Sequence, residues 1–353
     1  MDISKIDKNL AVETKIERQG LIWLDASESP FVTYGAVSKN PYLRMPLDIA
    51  KTVSDGVYDL SQHTAGIRLR FRTNSPYIAI HCEWQTMCRV GGHMTFAGSS
   101  GFDLFKVSDN RKQSYVKTFV PSMDCDKGFE SIYDGNGQMA DYVLNFPLYN
   151  YVSKLYIGVS ENAEFETPLG YSNEKPVVFY GSSITQGGCA SRPGNCYQNH
   201  LSRALDMDYI NLGFSGSGQA EDTMIEYLSN LSMSVFVSDY DHNAPGWQHL
   251  EKTHYKLYEG IRSKHPDIPY IMISKPDFNE NSEDENLRRA IIFNSFKKAY
   301  ESGDRNVYFI DGASIFDGDQ FDACTVDGCH PNDLGFYRFY KALLPTLSKI
   351  FNK

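Results

Sequence analysis

Several features that define other protein classes are missing from this chain of 353 residues. No apolar run approaches the roughly 20 residues that a transmembrane helix needs, so no membrane insertion is predicted. Lysine and arginine form no cluster and the net charge is -10, which disfavours nucleic acid as a partner. The opening residues lack the apolar segment of a signal peptide. They predict a cytoplasmic protein, or a periplasmic or secreted one if this is a mature form.

Cysteine is also sparse, and the seven cysteines, an odd number scattered over a long chain, do not predict a disulfide framework. Two groups of cysteine and histidine nevertheless raise the question of a metal: Cys189, Cys196 and His200, and Cys324, Cys329 and His330. Neither group has the tight spacing of a zinc ribbon. We therefore predict no metal and no organic cofactor. In an oxidising compartment a disulfide within these groups is the alternative.

The first part of the chain has the two-residue period of strands. Ile67, Leu69 and Phe71 alternate with arginines, turn signals follow at 74–76, and the alternation then resumes, which predicts a hairpin with one buried face. Similar runs separated by Gly, Asp and Asn continue to about residue 165. They predict an antiparallel β-sandwich, jelly-roll-like and almost free of helix, over residues 1–165.

After residues 165–176 the pattern changes to short apolar runs alternating with longer helical stretches. The strand candidates are 177–181, 208–214, 234–240, 269–276 and 306–313, and the helix candidates are 197–205, 220–229, 247–264, 285–302 and 334–350. This alternation predicts a parallel sheet with helices on both faces over residues 176–353. Asn332 and Asp333 are the predicted cap of the last helix.

The segment GSSITQGG follows the first strand of this second domain, where open parallel sheets bind their ligands. A phosphate-binding loop would need Lys after the glycines, but Cys189 and Ala190 stand there. The lipase-type G-x-S-x-G elbow does not fit either, because Thr185 occupies its second glycine position. A helix cap remains the alternative to a nucleophilic Ser183.

A base for Ser183 is available near the end of the chain. Asp327 and His330 are three residues apart in TVDGCH, just before the last helix. In a tight turn the carboxylate can accept the Nδ1–H of the imidazole and leave Nε2 to take the serine proton. One loop therefore supplies both the base and the group that orients it.

These segments together resemble the SGNH (GDSL) hydrolases, whose four blocks occur here in order as GSSIT, NLGFSGSG, DYDHN and DGCH. The resemblance implies a flavodoxin-like, three-layer α/β/α domain with Ser183 as nucleophile and Asp327 with His330 as orienter and base. It also implies an oxyanion hole from Ser183, Gly216 and Asn243. The chain departs from the usual blocks at three positions beside these residues: Ser182, Asp241 and Ala244.

A second resemblance lies in the first domain. SGFDLFKV is similar to the G-x-D-L-Y motif of the β-sandwich that precedes SGNH domains in many bacterial proteins, with Phe105 in place of Tyr. The short linker predicts that this domain packs beside the cleft. Arg192 is either a contact for an anion or sugar hydroxyl or a solvated charge. Asp103 either faces the cleft or holds a turn, and His93 is a further residue that could face the cleft.

The two resemblances imply a serine ester hydrolase that works through an acyl-enzyme and removes a short acyl group, with acetyl favoured, from a carbohydrate or related small substrate. One alternative is an acylhydrolase of the lysophospholipase or thioesterase type. Another is a carbohydrate-binding protein whose hydrolase domain is weakly active. The sequence is compatible with a homo-oligomer.

Overall fold

The structure is a computed structural model that describes residues 12–88, 90–316 and 322–352. The first residues of the predicted sandwich domain, 1–11, and the last residue of the predicted second domain lie outside the described residues. Within the described ranges, no helix combines the length and apolar character needed to cross a membrane.

The N-terminal half is an antiparallel β-sandwich, as predicted. Its strands are β1 (Leu21–Asp25), β2 (Val32–Tyr34), β3 (Ser38–Lys39), β4 (Tyr42–Leu43), β5 (Arg68–Thr73), β6 (Tyr77–Glu83), β7 (Phe102–Val107), β8 (Gln113–Phe119), β9 (Gly128–Asp134), β10 (Ala140–Asn145), β11 (Lys154–Ser160) and β12 (Phe165–Glu166). One sheet has the order β1-β11-β6-β9, and the other has the order β12-β5-β10-β7-β8 with β2 beside β5. Strands β3 and β4 form a separate ribbon. Apolar side chains from both large sheets meet in one core.

The predicted hairpin of β5 and β6 is wrong, because the two strands belong to different sheets. Leu69 and Phe71 do face the sandwich core. The arginines on the opposite face are not solvated, however: Arg68 and Arg70 are 1% and 2% exposed. Arg68 forms an ion pair with Asp208, and Arg70 lies 3.7 Å from Asp206, so this face of β5 packs on the second domain.

The prediction of almost no helix in this half is also wrong. Helices α1 (Leu47–Val53) and α2 (Asp55–Leu60) follow the β3–β4 ribbon, and the single turn α3 (Phe96–Ser99) precedes β7. The Ser54 side chain caps α2 by accepting from the Val57 N–H at 3.1 Å. Ala50 and Val57 are fully buried in the core of the second domain. Burial of their apolar faces there explains why these residues fold as helices.

The C-terminal half is a parallel sheet between two helical layers, as predicted. Its strands are β13 (Asn173–Gly181), β14 (Met207–Gly213), β15 (Val235–Asp239), β16 (Tyr270–Ile273) and β17 (Val307–Ile310). Its helices are α4 (Ser183–Gln186), α5 (Tyr197–Leu205), α6 (Asp222–Ser229), α7 (Trp247–Lys264), α8 (Glu283–Glu301) and α9 (Asp333–Ile350). Helices α6, α7 and α8 share one core with the sheet, while α5 and α9 share the core on its other face.

The strand order β14-β13-β15-β16-β17 is that of a flavodoxin-like fold. Strand β13 lies between β14 and β15, so the chain runs to opposite sides of the sheet from this point. Ligands of such sheets bind in the crevice at the carboxyl ends of the strands where the order reverses. The segments that follow β13 and β15 therefore meet at one crevice.

Candidate active site

Ser183 is the first residue of α4, directly after β13. The neighbouring Ser182 is the helix cap, because its Oγ accepts from the Ile184 N–H at 3.1 Å. The cap interpretation of this segment thus applies to Ser182. Ser183 is only 7% exposed, and its Oγ lies 3.0 Å from His330 Nε2.

The turn that presents Ser183 packs very closely on β14. A Cβ atom at Gly213 would overlap the backbone of Thr185 and Gln186, so only glycine fits under the turn. Gln186 is fully buried, and its Oε1 accepts from the Ser215 N–H at 3.0 Å. The backbone after β14 is therefore tied to the helix that begins at Ser183.

Asp327 and His330 lie in the loop before α9. His330 Nδ1 is 2.7 Å from Asp327 Oδ2, and Asp327 Oδ1 accepts from the backbone N–H groups of Cys329 and His330 at 3.1 and 2.8 Å. Burial acts to raise the pKa of Asp327, but these hydrogen bonds outweigh it and lower the pKa to about 2. Asp327 is therefore a carboxylate that can fix the imidazole with Nε2 towards Ser183. Asn332 caps α9, as predicted, and holds the end of the loop.

Gly216 and Asn243 are brought together beside this turn. Gly216 has a φ of +71°, a conformation that favours glycine, and its N–H donates to Asn243 Oδ1 at 3.2 Å. Asn243 Nδ2 donates to the Phe214 carbonyl at 2.7 Å, which leaves its second hydrogen free to donate elsewhere. The Ser183 N–H is available as a third hydrogen-bond donor beside those of Gly216 and Asn243, because the first residue of a helix has no intrahelical acceptor for its N–H.

Comparison with known proteins identifies the family. Residues 174–348 match the model of the GDSL-like lipase/acylhydrolase family, and residues 21–165 match the model of the GxDLY N-terminus of SGNH-type esterases. The chain belongs to the SGNH (GDSL-type) hydrolases. It is an esterase of this family with an N-terminal GxDLY domain. A search of curated proteins gives no match.

Solved structures share the whole architecture. A protein named as a GDSL-like lipase from Bacteroides ovatus is 29% identical over 94% of this chain and 98% of its own, with a TM-score of 0.84. The salicylyl-acyltransferase SsfX3 of a tetracycline biosynthetic pathway is 19% identical over 95% and 98%, with a TM-score of 0.77. A family two carbohydrate esterase from Cellvibrio japonicus is 12% identical over 94% and 98%, with a TM-score of 0.60. At the two lower identities the similarity concerns the fold.

The segment of this SGNH hydrolase that bears Asn243 is held by charged groups, of which only Asp241 had been singled out from the sequence. Asp241 accepts from the Lys275 N–H at 3.0 Å and pairs with Arg288 at 3.2 Å. A glycine at this position could make neither contact. His242 Nε2 lies 2.6 Å from Asp277 Oδ1. Asp277 follows β16, and its place after a parallel strand is the one signal that could have indicated it.

His242 is charged in this arrangement. Burial acts to lower the pKa of His242, but its hydrogen bond to Asp277 and the nearby Cys329 thiol outweigh this effect and raise the pKa to about 10. The Asp277 pKa moves in the opposite sense, below its usual value, because the His242 pair outweighs burial. An ion pair thus stands between the segment of Asn243 and the segment after β16.

The sandwich domain of the hydrolase contacts the segment that follows Ser183. Asp103 of the GFDLF motif is fully buried and accepts from Arg192 Nη1 at 2.6 Å and from the Gly194 N–H at 2.8 Å. Asp103 therefore holds a turn, which was one of the two roles considered for it. Arg192 is not a freely solvated charge, because it pairs with Asp103 and its Cζ lies 4.5 Å from the Tyr115 ring centroid.

Further sandwich contacts reach Ser183 itself. Tyr149 OH donates to the Ser183 carbonyl at 3.2 Å, and Thr95 Oγ1 donates to the Ser191 carbonyl at 2.9 Å. The exposed His93 ring lies with its centroid 5.7 Å from that of His330. The predicted packing of the first domain beside this crevice is thus observed.

In the part of the chain that the structure describes, no cysteine forms a disulfide. In the described ranges, two groups of three side chains have ligand atoms within 4.8 Å of one another: His93, Cys189 and His330, and His242, Asp277 and Cys329. Neither group is one that the sequence analysis considered, because those combined neighbours along the chain. Burial, together with the nearby Asp327 and Cys329, raises the pKa of Cys189 to about 12.

Proposed function

We propose that this SGNH hydrolase removes a short acyl group, with acetyl favoured, from a carbohydrate or related small substrate through an acyl-enzyme. The observation on which this proposal chiefly depends is the continuous series of hydrogen bonds from Ser183 to Asp327. Ser183 Oγ lies 3.0 Å from His330 Nε2, and His330 Nδ1 lies 2.7 Å from Asp327 Oδ2. These distances are those required between a nucleophile, its base and the group that orients the base.

In the proposed reaction Ser183 Oγ attacks the ester carbonyl while His330 Nε2 takes the hydroxyl proton. His330 then gives this proton to the leaving alcohol, and the acyl group remains on Ser183. Water, deprotonated by the same nitrogen, releases the acid and restores the serine. The Asp327 carboxylate stabilises the imidazolium that forms in each half of the reaction.

The charge that develops on the carbonyl oxygen would be met by the N–H groups of Ser183 and Gly216 and by the second amide hydrogen of Asn243. The Gly216 N–H already donates to Asn243 Oδ1 at 3.2 Å. The substrate oxygen must therefore compete with Asn243 for this donor. Hydrogen bonds of this kind tighten when the reacting complex forms.

The surroundings of the site favour a short acyl group. Of the large apolar side chains that are exposed among the described residues, only Val326 lies on the segments that bear Ser183, Gly216, Asn243 and the Asp327–His330 pair. A lysophospholipase or thioesterase would need a broader apolar surface for its acyl chain. A carbohydrate as the alcohol is favoured by the shared fold with proteins named as carbohydrate esterases, including an acetyl xylan esterase from Butyrivibrio proteoclasticus.

The first test compares acetyl and octanoyl nitrophenyl esters, followed by a panel of acetylated sugars. We expect hydrolysis of the acetyl ester to be much faster, and intact-protein mass spectrometry to detect an acetyl group on Ser183 after rapid quenching. Faster turnover of the octanoyl ester would favour the lysophospholipase or thioesterase alternative. Binding of sugars without turnover of any ester would favour the carbohydrate-binding alternative.

The second test replaces each of the two adjacent serines. Ser183→Ala should lower kcat by roughly 10⁴-fold or more, since the nucleophile of a triad cannot be bypassed. Ser182→Ala is the matched control: it removes a helix cap, which costs about 1 kcal/mol of stability, but leaves the reacting groups in place. Equal losses of activity in the two variants would remove Ser183 from the mechanism.

A further inference from the structure

Three potential metal ligands converge on the site from three separate segments. His93 precedes α3 in the sandwich half, Cys189 follows α4, and His330 lies in the loop before α9. One ligand atom from each lies within 4.8 Å of the other two. Zinc bonds of about 2.0–2.3 Å would place such atoms roughly 3.5 Å apart, so small side-chain rotations suffice to surround an ion.

His330 is already oriented as a metal ligand would be. Its Nδ1 is held by the Asp327 carboxylate at 2.7 Å, which leaves Nε2, the nitrogen 3.0 Å from Ser183 Oγ, as the one that could bind a metal. Histidines that bind metal usually donate their other ring N–H to a carboxylate or carbonyl in this way. The hydrogen bonds that prepare His330 as a base therefore also prepare it for a cation.

His93 is exposed, so a metal ion can reach the group from solvent. Its ring packs closely against Gly91: a Cβ atom added at this glycine would lie 2.6 Å from His93 Cε1. The segment that follows is fixed on the second domain, because Thr95 Oγ1 donates to the Ser191 carbonyl at 2.9 Å. His93 is thus held near the segment of Cys189 by contacts between the two halves.

Cys189 has a backbone conformation that favours glycine, with a φ of +72°. The residue is buried, and its sulfur lies within 4.8 Å of one ring nitrogen of each histidine. Two imidazole nitrogens and one thiolate form a ligand set suited to zinc, with a fourth position left for water.

We propose that His93, Cys189 and His330 form an inhibitory binding site for zinc or a similar thiophilic divalent cation. Binding releases the Cys189 thiol proton to solvent and occupies His330 Nε2, the nitrogen that lies 3.0 Å from Ser183 Oγ. The base is then unavailable to the serine. The inhibition depends on the role proposed above for His330, whereas the binding does not.

The other group of three, His242, Asp277 and Cys329, is less suited to a metal. His242 Nε2 already lies 2.6 Å from Asp277 Oδ1 in an ion pair. All three side chains are partly buried, and none is exposed to solvent as His93 is. A cation would have to break this pair before it could bind.

The experiment uses the full chain and three readouts. Zn²⁺ is titrated by calorimetry and, in parallel, against hydrolysis of the acetyl nitrophenyl ester; Co²⁺ is added separately to detect sulfur-to-metal charge transfer in the near ultraviolet. His93→Ala, Cys189→Ser and Cys329→Ser are compared with Cys88→Ser, whose thiol lies outside both groups. His93 is exposed, so its substitution should not impair folding.

We expect one Zn²⁺ per chain, with inhibition. Its affinity should fall in His93→Ala and Cys189→Ser by more than the roughly 10- to 100-fold typical of losing an outer-shell partner, and Cys88→Ser should bind as the parent does. The cobalt band should disappear in Cys189→Ser. Absence of binding, or a loss confined to Cys329→Ser, would overturn the site. Binding of this pattern without inhibition would uphold the site and contradict the proposed role of His330.

Discussion

The two halves of the molecule differ in how they contribute to the crevice. The parallel-sheet half supplies Ser183, Gly216, Asn243, Asp327 and His330, each on a segment that follows a strand or precedes a helix. The sandwich half supplies contacts to the backbone of those segments, through Tyr149, Thr95 and Asp103. The first contribution depends on side-chain chemistry and is visible as sequence blocks. The second depends on where the sandwich residues lie relative to those segments.

The largest effect should follow from removing the sandwich half altogether. A fragment of residues 175–353 loses Met45, Ala50 and Val57 from the core it shares with α6 and α7, and leaves Asp208 without Arg68. We expect this fragment to be insoluble or inactive when expressed beside the full chain from the same vector. A soluble fragment with the full kcat/KM would contradict the supporting role that we assign to the sandwich.

The next largest effect is expected from a substitution in the parallel-sheet half alone. Asn243→Ala should lower kcat by roughly 100- to 1,000-fold with little change in KM, because an oxyanion donor acts mainly on the charged transition state. Steady-state kinetics on the acetyl ester measures both constants. If kcat is unchanged, another group completes the oxyanion hole.

A smaller effect is expected at the joint between the halves. Asp103→Ala leaves the partly buried Arg192 and the Gly194 N–H without their acceptor, which should cost about 3 kcal/mol of unfolding free energy. Asp103→Asn retains one acceptor oxygen and should cost less. Urea unfolding of the two variants checks the order. Equal stability of Asp103→Ala and the parent would show that this contact does not hold the halves together.

The last expected effect is a change in how stability depends on pH. The folded pKa of His242 is about 10, above the value of about 6.5 in an unfolded chain. The stability that protonated His242 contributes is therefore complete below about pH 6.5 and is lost as the pH rises through 10. Unfolding free energies measured from pH 6 to 10 should fall less steeply for His242→Gln than for the parent. Parallel curves would mean that the His242–Asp277 pair adds no pH-dependent stability.

The parallel-sheet half could be predicted well from the sequence because its signals are local. Periodicity indicated the strands and helices of the parallel sheet, and α5 and α7 begin and end where predicted. Asp327 and His330 are three residues apart, so their pairing could be expected from a single turn. The blocks of Ser183, Gly216 and Asn243 lie at the carboxyl ends of strands, where parallel sheets bind their ligands.

The sandwich half was harder to predict because its contacts are between residues distant in sequence. The alternation around Arg68 and Arg70 is the same whether water or another domain covers the arginines. Nothing local indicates that the chain changes sheets between β5 and β6. The grouping of Cys189 with His93 and His330 likewise depends on how the two halves dock, which spacing along the chain does not encode.

The shared core also has a consequence for synthesis. Val57 leaves the ribosome long before Leu228, although both belong to the same buried cluster. At roughly 5 to 20 residues per second, translation of the intervening chain takes about 10 to 30 seconds. During that interval the apolar faces of α1 and α2 have no partner to cover them. The nascent sandwich therefore exposes an apolar surface during this interval, and chaperones can bind to it.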